Sequence, residues 1–180
     1  MTDTIVETRI ARPREGEYLP YYHKYISLVP DGDLVEILRK QTGDTLAFLR
    51  SIPEERATHR YAPGKWSIKE VVGHLADTER VMGYRALRIA RDDKTPMPGF
   101  DENAWVPAGN FDARSFASLV NELEQVRGAT IAFLETLDST AGARRGTANN
   151  AEITARALAY IIAGHERHHV DILKERYLTS

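Results

Sequence analysis

Apolar residues recur at intervals of three and four positions in four stretches of the chain, and segments rich in proline, glycine and polar residues separate these stretches. Such a spacing places the apolar side chains on one face of a helix. The pattern predicts four helices, near residues 31–51, 67–91, 113–137 and 152–177. No run alternates β-branched or aromatic residues with polar ones as a half-buried strand does. We therefore expect an all-α protein without strands.

Residues typical of helix ends support these boundaries. Ser67 followed by Glu70 matches a capping box at the start of the second helix. Asp31 or Asp33 can cap the first helix, and Pro53 closes it. Helices of about 20 to 27 residues are about 30 to 40 Å long. Four of them pack most economically as a four-helix bundle.

The connecting segments differ in character. Residues 1–30 hold three prolines and a tyrosine cluster, and we expect this extension to pack on a four-helix domain formed by residues 31–180, since a free tail would expose a large aromatic surface. Residues 92–111 are expected to form a long loop, which in a compact domain is more often functional than a short connection is. Residues 139–150 have the composition of a turn.

Composition excludes several classes of function. With 180 residues, 42% hydrophobic and 28% charged, the chain has the make-up of an ordinary globular domain. Its net charge of −2, without a basic run, argues against nucleic-acid binding. We see no signal-peptide pattern and no apolar run of about 18 residues, so we expect a cytoplasmic protein without membrane contact. Because the chain has no cysteine, a metal site would have to use His, Asp or Glu.

The sequence HERHH at residues 165–169 lies within the fourth predicted helix. His165 and His169 are four positions apart, hence about 40° apart around the helix, in the middle of its apolar face. His168 lies about 100° from His169. Burying histidines without partners is costly, and a shared metal ion would explain two of them at core positions. The alternative is that one histidine bonds a carbonyl and the others lie at the surface.

The same five residues match the H-E-x-x-H pattern of zinc proteases. Such enzymes need a further ligand downstream, and only eleven residues follow His169. The extended form of the motif requires a glycine and a histidine where this chain has Ile172 and Glu175. A peptidase is therefore not expected.

A third ligand has to come from elsewhere in the chain. His23 lies in a proline-flanked segment and His59 in a loop, whereas His74 lies one turn inside the second helix, beside its apolar face. In a bundle, a histidine there can meet two from a facing helix. Three imidazoles leave a coordination position open, as in catalytic sites. A fourth ligand from His23 or Asp101 would instead favour a structural or sensory site.

Two stretches, KWSIKEVVGHLAD at residues 65–77 and GHERHH at residues 164–169, together resemble the DinB-like superfamily, which includes YfiT-type metal-dependent hydrolases and bacillithiol transferases. The resemblance extends over about residues 30–178. It implies a four-helix bundle of up-down-down-up order, a homodimer, and a divalent metal ion, zinc or nickel. The implied ligands are His74, His165 and His169, and His168 falls on a position that is not a ligand.

The leading hypothesis is a metal-dependent enzyme that acts on a small molecule, by hydrolysis or by transfer of a low-molecular-weight thiol such as bacillithiol or mycothiol. The alternatives are a non-catalytic, metal-stabilised ligand-binding or stress-response module, and a bundle without metal. No catalytic residue is assigned. Glu166 could act as a general base or pair with an arginine, and pairing is favoured. Arg85 could steer an anionic group, but a surface arginine whose charge reaches solvent is favoured.

Overall fold

The computed structural model describes residues 10–178. Seven α-helices and two strands follow one another along this part of the chain. They are α1 (His23–Ile26), α2 (Leu34–Arg50), α3 (Ile68–Ala90), α4 (Glu102–Gly109), α5 (Phe116–Leu134), α6 (Ser139–Ala143), β1 (Arg145–Ala148), β2 (Ala151–Thr154) and α7 (Ala155–Ile172). Short 3-10 turns lie at Pro20–Tyr22, Glu54–Arg56 and Phe111–Ala113, and α7 continues into a π-helical turn, Leu173–Tyr177. Within this part of the chain, no helix combines the length and apolar character needed to span a membrane.

The four long helices α2, α3, α5 and α7 form the predicted four-helix bundle. Successive residues of α2 contact α5 in reverse chain order, so these two helices are antiparallel. Successive residues of α2 contact α7 in the same chain order, so these two helices are parallel. The start of α3 meets the end of α7, so these two helices are antiparallel. The pairs that show this are Arg39–Glu135 and Arg50–Glu124 for α2 and α5, Gln41–Ala163 and Thr45–Glu166 for α2 and α7, and His74–His165 for α3 and α7. The up-down-down-up order is confirmed.

Side-chain caps explain where two of these helices begin. The Asp33 carboxylate accepts hydrogen bonds from the backbone N–H groups of the first turn of α2. At the start of α3, Ser67 and Glu70 form both hydrogen bonds of the capping box. Both helices therefore start within three residues of the predicted positions.

The prediction of a continuous loop over residues 92–111 was wrong, because α4 lies inside it. The Asp101 carboxylate caps α4 by accepting from the N–H of Asn103. Asn110 ends it in the left-handed conformation, with φ of 48°. Pro107 concealed this helix in the sequence, since proline normally marks a loop, and an eight-residue helix shows little periodicity.

The prediction that the chain has no strand was also wrong. β1 and β2 pair as an antiparallel hairpin from Arg145–Thr154 to Ala148–Ala151. Asn149 and Asn150 connect them with φ of 51° and 60°, the conformation of a tight two-residue hairpin turn, which asparagine tolerates well. Strands of four residues are too short to display an alternating pattern. The fourth helix consequently starts at Ala155, with Thr154 as its cap, and not at residue 152.

The segment before α2 lies directly on α7. Tyr25, Ile26 and Val29 are buried against the bundle. A Cβ atom on Gly164 would lie 1.9 Å from the carbonyl oxygen of Tyr25, so α1 rests on the backbone of α7. Only glycine permits this approach. The contact brings the tyrosines of this segment beside the end of α7 that carries the histidines.

Candidate metal centre

Three histidines from two helices meet at one point between α3 and α7. The Nε2 atom of His165 lies 3.1 Å from the Nε2 atom of His74 and 3.1 Å from that of His169. One ligand atom from each of the three lies within 4.8 Å of the others, a spacing at which they could hold one metal ion. His165 and His169 reach this point because they lie one turn apart on α7, and His74 because α3 is antiparallel to α7.

The three imidazoles are neutral near pH 7. Burial lowers the pKa of His74 to about 4 and that of His169 to about 3. Burial, followed by the neighbouring imidazoles, also holds the pKa of His165 well below its ordinary value. A neutral imidazole keeps one nitrogen lone pair for a metal. Three such nitrogens converging on one point fit a divalent metal of the type that imidazole prefers.

Two neighbours orient His74. The Thr78 hydroxyl, one turn further along α3, lies 3.4 Å from the Nδ1 atom of His74. When the Nδ1–H group donates to this hydroxyl, the Nε2 lone pair is free to face the other histidines. The indole of Trp66 lies against the His74 ring, with ring centres 4.8 Å apart. Neither contact was predicted from the sequence, although the i, i+4 spacing of His74 and Thr78 is visible there.

The remaining histidines and Asp101 are outside the cluster. His168 packs edge-on against the ring of Tyr25. His23 shares a hydrogen bond of 3.2 Å with the Tyr18 hydroxyl, and the ring of His59 lies against Tyr177. Asp101 is the cap of α4. Among residues 10–178, the group of side chains able to share a metal therefore has three members and no fourth.

Glu166 points away from the histidines, into the centre of the bundle. Its carboxylate accepts a hydrogen bond of 2.5 Å from the Thr45 hydroxyl and pairs with Arg127. Arg127 also binds both carboxylate oxygens of Glu79, each at 2.8 Å. All three charged side chains are buried. Of the two roles weighed for Glu166, the structure supports the ion pair.

A pocket of about 350 Å³ opens beside the histidines. Its walls come from the segment before α2, from α3, from the turn of the hairpin and from the segment around α4, so part of the predicted 92–111 loop does cover the site. Arg85 lines this pocket and is only 4% exposed. The favoured prediction of a surface arginine was therefore wrong. Its position on the helix was visible in the sequence, but the segments that fold over it were not.

The profile of the DinB superfamily matches residues 37–173. The chain belongs to the DinB superfamily. The matched region contains all three histidines of the cluster and all four helices of the bundle except the first three residues of α2.

Individual relatives of this chain are described as metal-dependent hydrolases, and one of them has a solved structure. A protein of Oceanobacillus iheyensis named "putative metal-dependent hydrolase" is 26% identical over 146 residues, which span 78% of this DinB chain and 79% of the relative. YfiT of Bacillus subtilis, which carries the same description, is 24% identical over 123 residues, 68% of this chain and 67% of its own. The solved structure of YfiT, titled "a probable metal-dependent hydrolase with an unusual four-helix bundle topology", superimposes with a TM-score of 0.70 at 20% identity, covering 92% of this chain and 90% of that one. The likeness establishes the shared fold.

Proposed function

We propose that this DinB protein is a metal-dependent enzyme that acts on a small molecule, and that His74, His165 and His169 hold its metal ion. One observation carries the proposal: three neutral imidazole nitrogens converge within 4.8 Å in the wall of a pocket large enough for a small ligand. The names of the relatives from Oceanobacillus iheyensis and Bacillus subtilis support the same activity.

The donor set selects the class of ion. Three imidazoles suit zinc or nickel, whereas magnesium and calcium prefer oxygen ligands. Held in this way, a divalent ion supplies Lewis-acid activation of a water or a thiol near neutral pH. Both residues considered for a fourth position are engaged elsewhere: His23 with Tyr18, and Asp101 with the first turn of α4. This favours a site with room for substrate over a closed structural site.

The chain's own residues orient the site. A hydrogen bond from the Nδ1–H group of His74 to the Thr78 hydroxyl would leave the Nε2 lone pair for the metal, and the indole of Trp66 lies against the same ring. Tyr25 packs edge-on against the ring of His165, with ring centres 5.3 Å apart. These contacts hold the imidazoles in one geometry before substrate binds, which lowers the cost of ordering them during the reaction.

Hydrolysis and thiol transfer are both compatible with this arrangement. A thiol has to come from a cosubstrate such as bacillithiol or mycothiol, because the chain has no cysteine. The names of the relatives favour hydrolysis. With a volume of about 350 Å³, the pocket is large enough for a small molecule.

The test is a turnover screen of zinc- and nickel-loaded protein on ester, amide and electrophile substrates, with and without added thiols. We expect turnover in the wild type and its loss in His169→Ala, with His168→Ala as the matched control from the same turn of α7. Turnover only with a thiol would assign transfer, and turnover without one would assign hydrolysis. Absence of turnover in protein that binds the metal with a fourth protein ligand would overturn the proposal in favour of a non-catalytic ligand-binding or stress-response module.

We also propose that the protein forms a homodimer, as the resemblance implies, and symmetric pairs are also the commonest oligomers of soluble proteins. Light scattering at micromolar concentration should give twice the 20.3 kDa mass of the chain. A single-chain mass at that concentration would contradict the dimer and would leave the metal site unaffected.

A further inference from the structure

Arg85 differs from the other buried cations of the described chain. Lys69 is buried beside the Glu54 carboxylate at 2.7 Å, and Arg127 is buried between two carboxylates. Arg85 is equally buried, yet among residues 10–178 no carboxylate lies within ion-pair distance of it. A buried charge without a counter-charge is costly. A buried cation that no carboxylate of the described chain neutralises is suited to bind an anionic ligand.

The contacts of Arg85 hold it in place without neutralising it. One guanidinium nitrogen donates to the carbonyl oxygen of Pro98 at 2.5 Å, and another approaches the sulfur of Met82 at 3.7 Å. The ring of Phe100 lies below the guanidinium, 5.7 Å from its central carbon. Because a guanidinium has five N–H groups, these contacts leave donors for a further acceptor. The positive charge remains uncompensated.

Two more polar groups line the same end of the pocket. Burial raises the pKa of Tyr22, so its hydroxyl stays protonated and can donate a hydrogen bond. Asn149 lies in the turn of the hairpin, with its side-chain amide against Gly99, next to the carbonyl that Arg85 binds. An arginine, a phenol and an amide together form the kind of donor set that recognises an oxyanion.

We propose that Arg85 is the anchor of an oxyanion subsite, and that the small molecule processed at the histidines carries a carboxylate or phosphonate-type group bound there. The inference rests on the proposed function, since it names the class of that substrate. Arg85 is proposed as a binding residue and not as a catalytic one, because it lies about three turns of α3 beyond His74.

The spacing along α3 separates the two parts of the proposed substrate site. His74 and Arg85 are eleven residues apart, about 16 Å along the helix axis. The contact with Met82 shows that the Arg85 side chain leans back toward the start of the helix. The anionic group and the reacting bond therefore occupy different parts of the pocket, and we expect several atoms of the substrate to separate them.

Glu102 lines the same pocket from α4. Its carboxylate is partly exposed and solvated, whereas the Arg85 guanidinium is buried, so the arginine exerts the stronger field on a bound group. Glu102 should still weaken the binding of a single anion and disfavour a second anionic group at this rim. Replacing it tests the charge of the pocket without disturbing the buried arginine.

The experiment measures binding and not turnover, so that it can fail independently of the proposed activity. Metal-loaded protein is titrated in a calorimeter with hexanoate, hexylphosphonate and the neutral analogue hexanamide. We expect the wild type to bind at least one anion and to bind hexanamide more weakly, and the preferred anion separates carboxylate from phosphonate chemistry. Arg85→Met should weaken anion binding on the order of 10- to 100-fold, Arg85→Lys less, and Glu102→Gln should strengthen it about threefold.

Arg80→Met is the matched control, since Arg80 lies on the same helix, is exposed and pairs with Asp77 and Glu122. It should leave anion binding unchanged. Binding that survives in Arg85→Met but disappears in His169→Ala would place the anion on the metal and overturn the proposal. So would an anion affinity no higher than that for hexanamide, or a Glu102→Gln variant that binds the anions no better than the wild type. Anion binding lost in Arg85→Met without any turnover in the wild type would leave the subsite standing while the proposed activity fails.

Discussion

Two polar clusters lie side by side where α3 and α7 meet, and they differ in how their side chains are satisfied. On one side, Glu79, Arg127 and Glu166 bind one another in the centre of the bundle. On the other side, His74, His165 and His169 face a pocket. Glu166 directly follows His165 in the chain, and consecutive helix residues point about 100° apart. Glu166 therefore belongs to the charged cluster, whereas its neighbour His165 belongs to the histidine cluster.

The elements that cover each side account for the difference. The charged cluster is enclosed by α2 and α5, which contribute Thr45 and Arg127. The histidine cluster is covered by shorter pieces of chain, among them the segment before α2, the region around α4 and the turn of the hairpin, and these leave a cavity. A polar cluster satisfied by its own chain serves architecture. One whose lone pairs converge on a cavity is available to a ligand.

The largest expected effect comes from removing the cation of the charged cluster. Arg127→Met would leave the carboxylates of Glu79 and Glu166 buried without a cation, and should reduce the free energy of unfolding by about 3–5 kcal/mol. Chemical denaturation of the metal-free protein measures it. Arg50→Met is the control, because Arg50 forms an exposed pair with Glu124 and should cost at most about 1 kcal/mol. Equal losses in the two variants would refute the architectural role of the cluster.

The second effect concerns the histidine cluster. His169→Ala should weaken zinc binding on the order of 100-fold, since it removes one of three ligands. His74→Ala and His165→Ala should do the same, whereas His168→Ala, His59→Ala and His23→Ala should bind zinc as the wild type does. Competition titration with a chelating dye measures the affinity. Loss of zinc binding in His168→Ala alone would mean that the ligand pair on α7 is His165 with His168.

Much of this contrast could be predicted from the sequence, and the missing part has a physical reason. The long helices follow from local periodicity and from caps such as Ser67, and the closeness of His165 and His169 follows from one turn of helix. The covering elements were missed because they are short: α4 has eight residues and each strand four. Arg85 was misjudged for the same reason, since its burial depends on segments distant in sequence that fold over it.

A third, smaller effect tests the contact between α1 and α7 beside the histidine cluster. Gly164→Ala would place a Cβ atom 1.9 Å from the carbonyl oxygen of Tyr25, so α1 would have to move away from α7. We expect a loss of about 1–3 kcal/mol in unfolding free energy and faster proteolysis of the segment before α2. In the control Gly43→Ala, the added methyl meets nothing within 4 Å and lies inside α2. That variant should gain about 0.5–1 kcal/mol. A stable Gly164→Ala protein with an intact segment would show that α1 is not fixed by this contact.

The last effect, measured as a slope and not as a single loss, is a change in how stability varies with pH in metal-free protein. The pKa of His74 is about 4 in the folded chain, against an ordinary value of 6.5. Between these values the unfolded chain binds a proton that the folded chain does not. The contribution of His74 to stability is therefore complete above pH 6.5, declines as the pH falls, and stops declining below about pH 4. The decline is about 1.4 kcal/mol per pH unit.

Urea denaturation at several pH values should show a shallower slope in His74→Ala, and an unchanged slope in the control His59→Ala, whose side chain is exposed. Carboxylates that titrate in this window contribute equally to the variants being compared. Identical slopes in wild type and His74→Ala would mean that His74 takes up a proton as readily in the folded chain as in the unfolded one, and the histidine cluster would then not consist of neutral imidazoles.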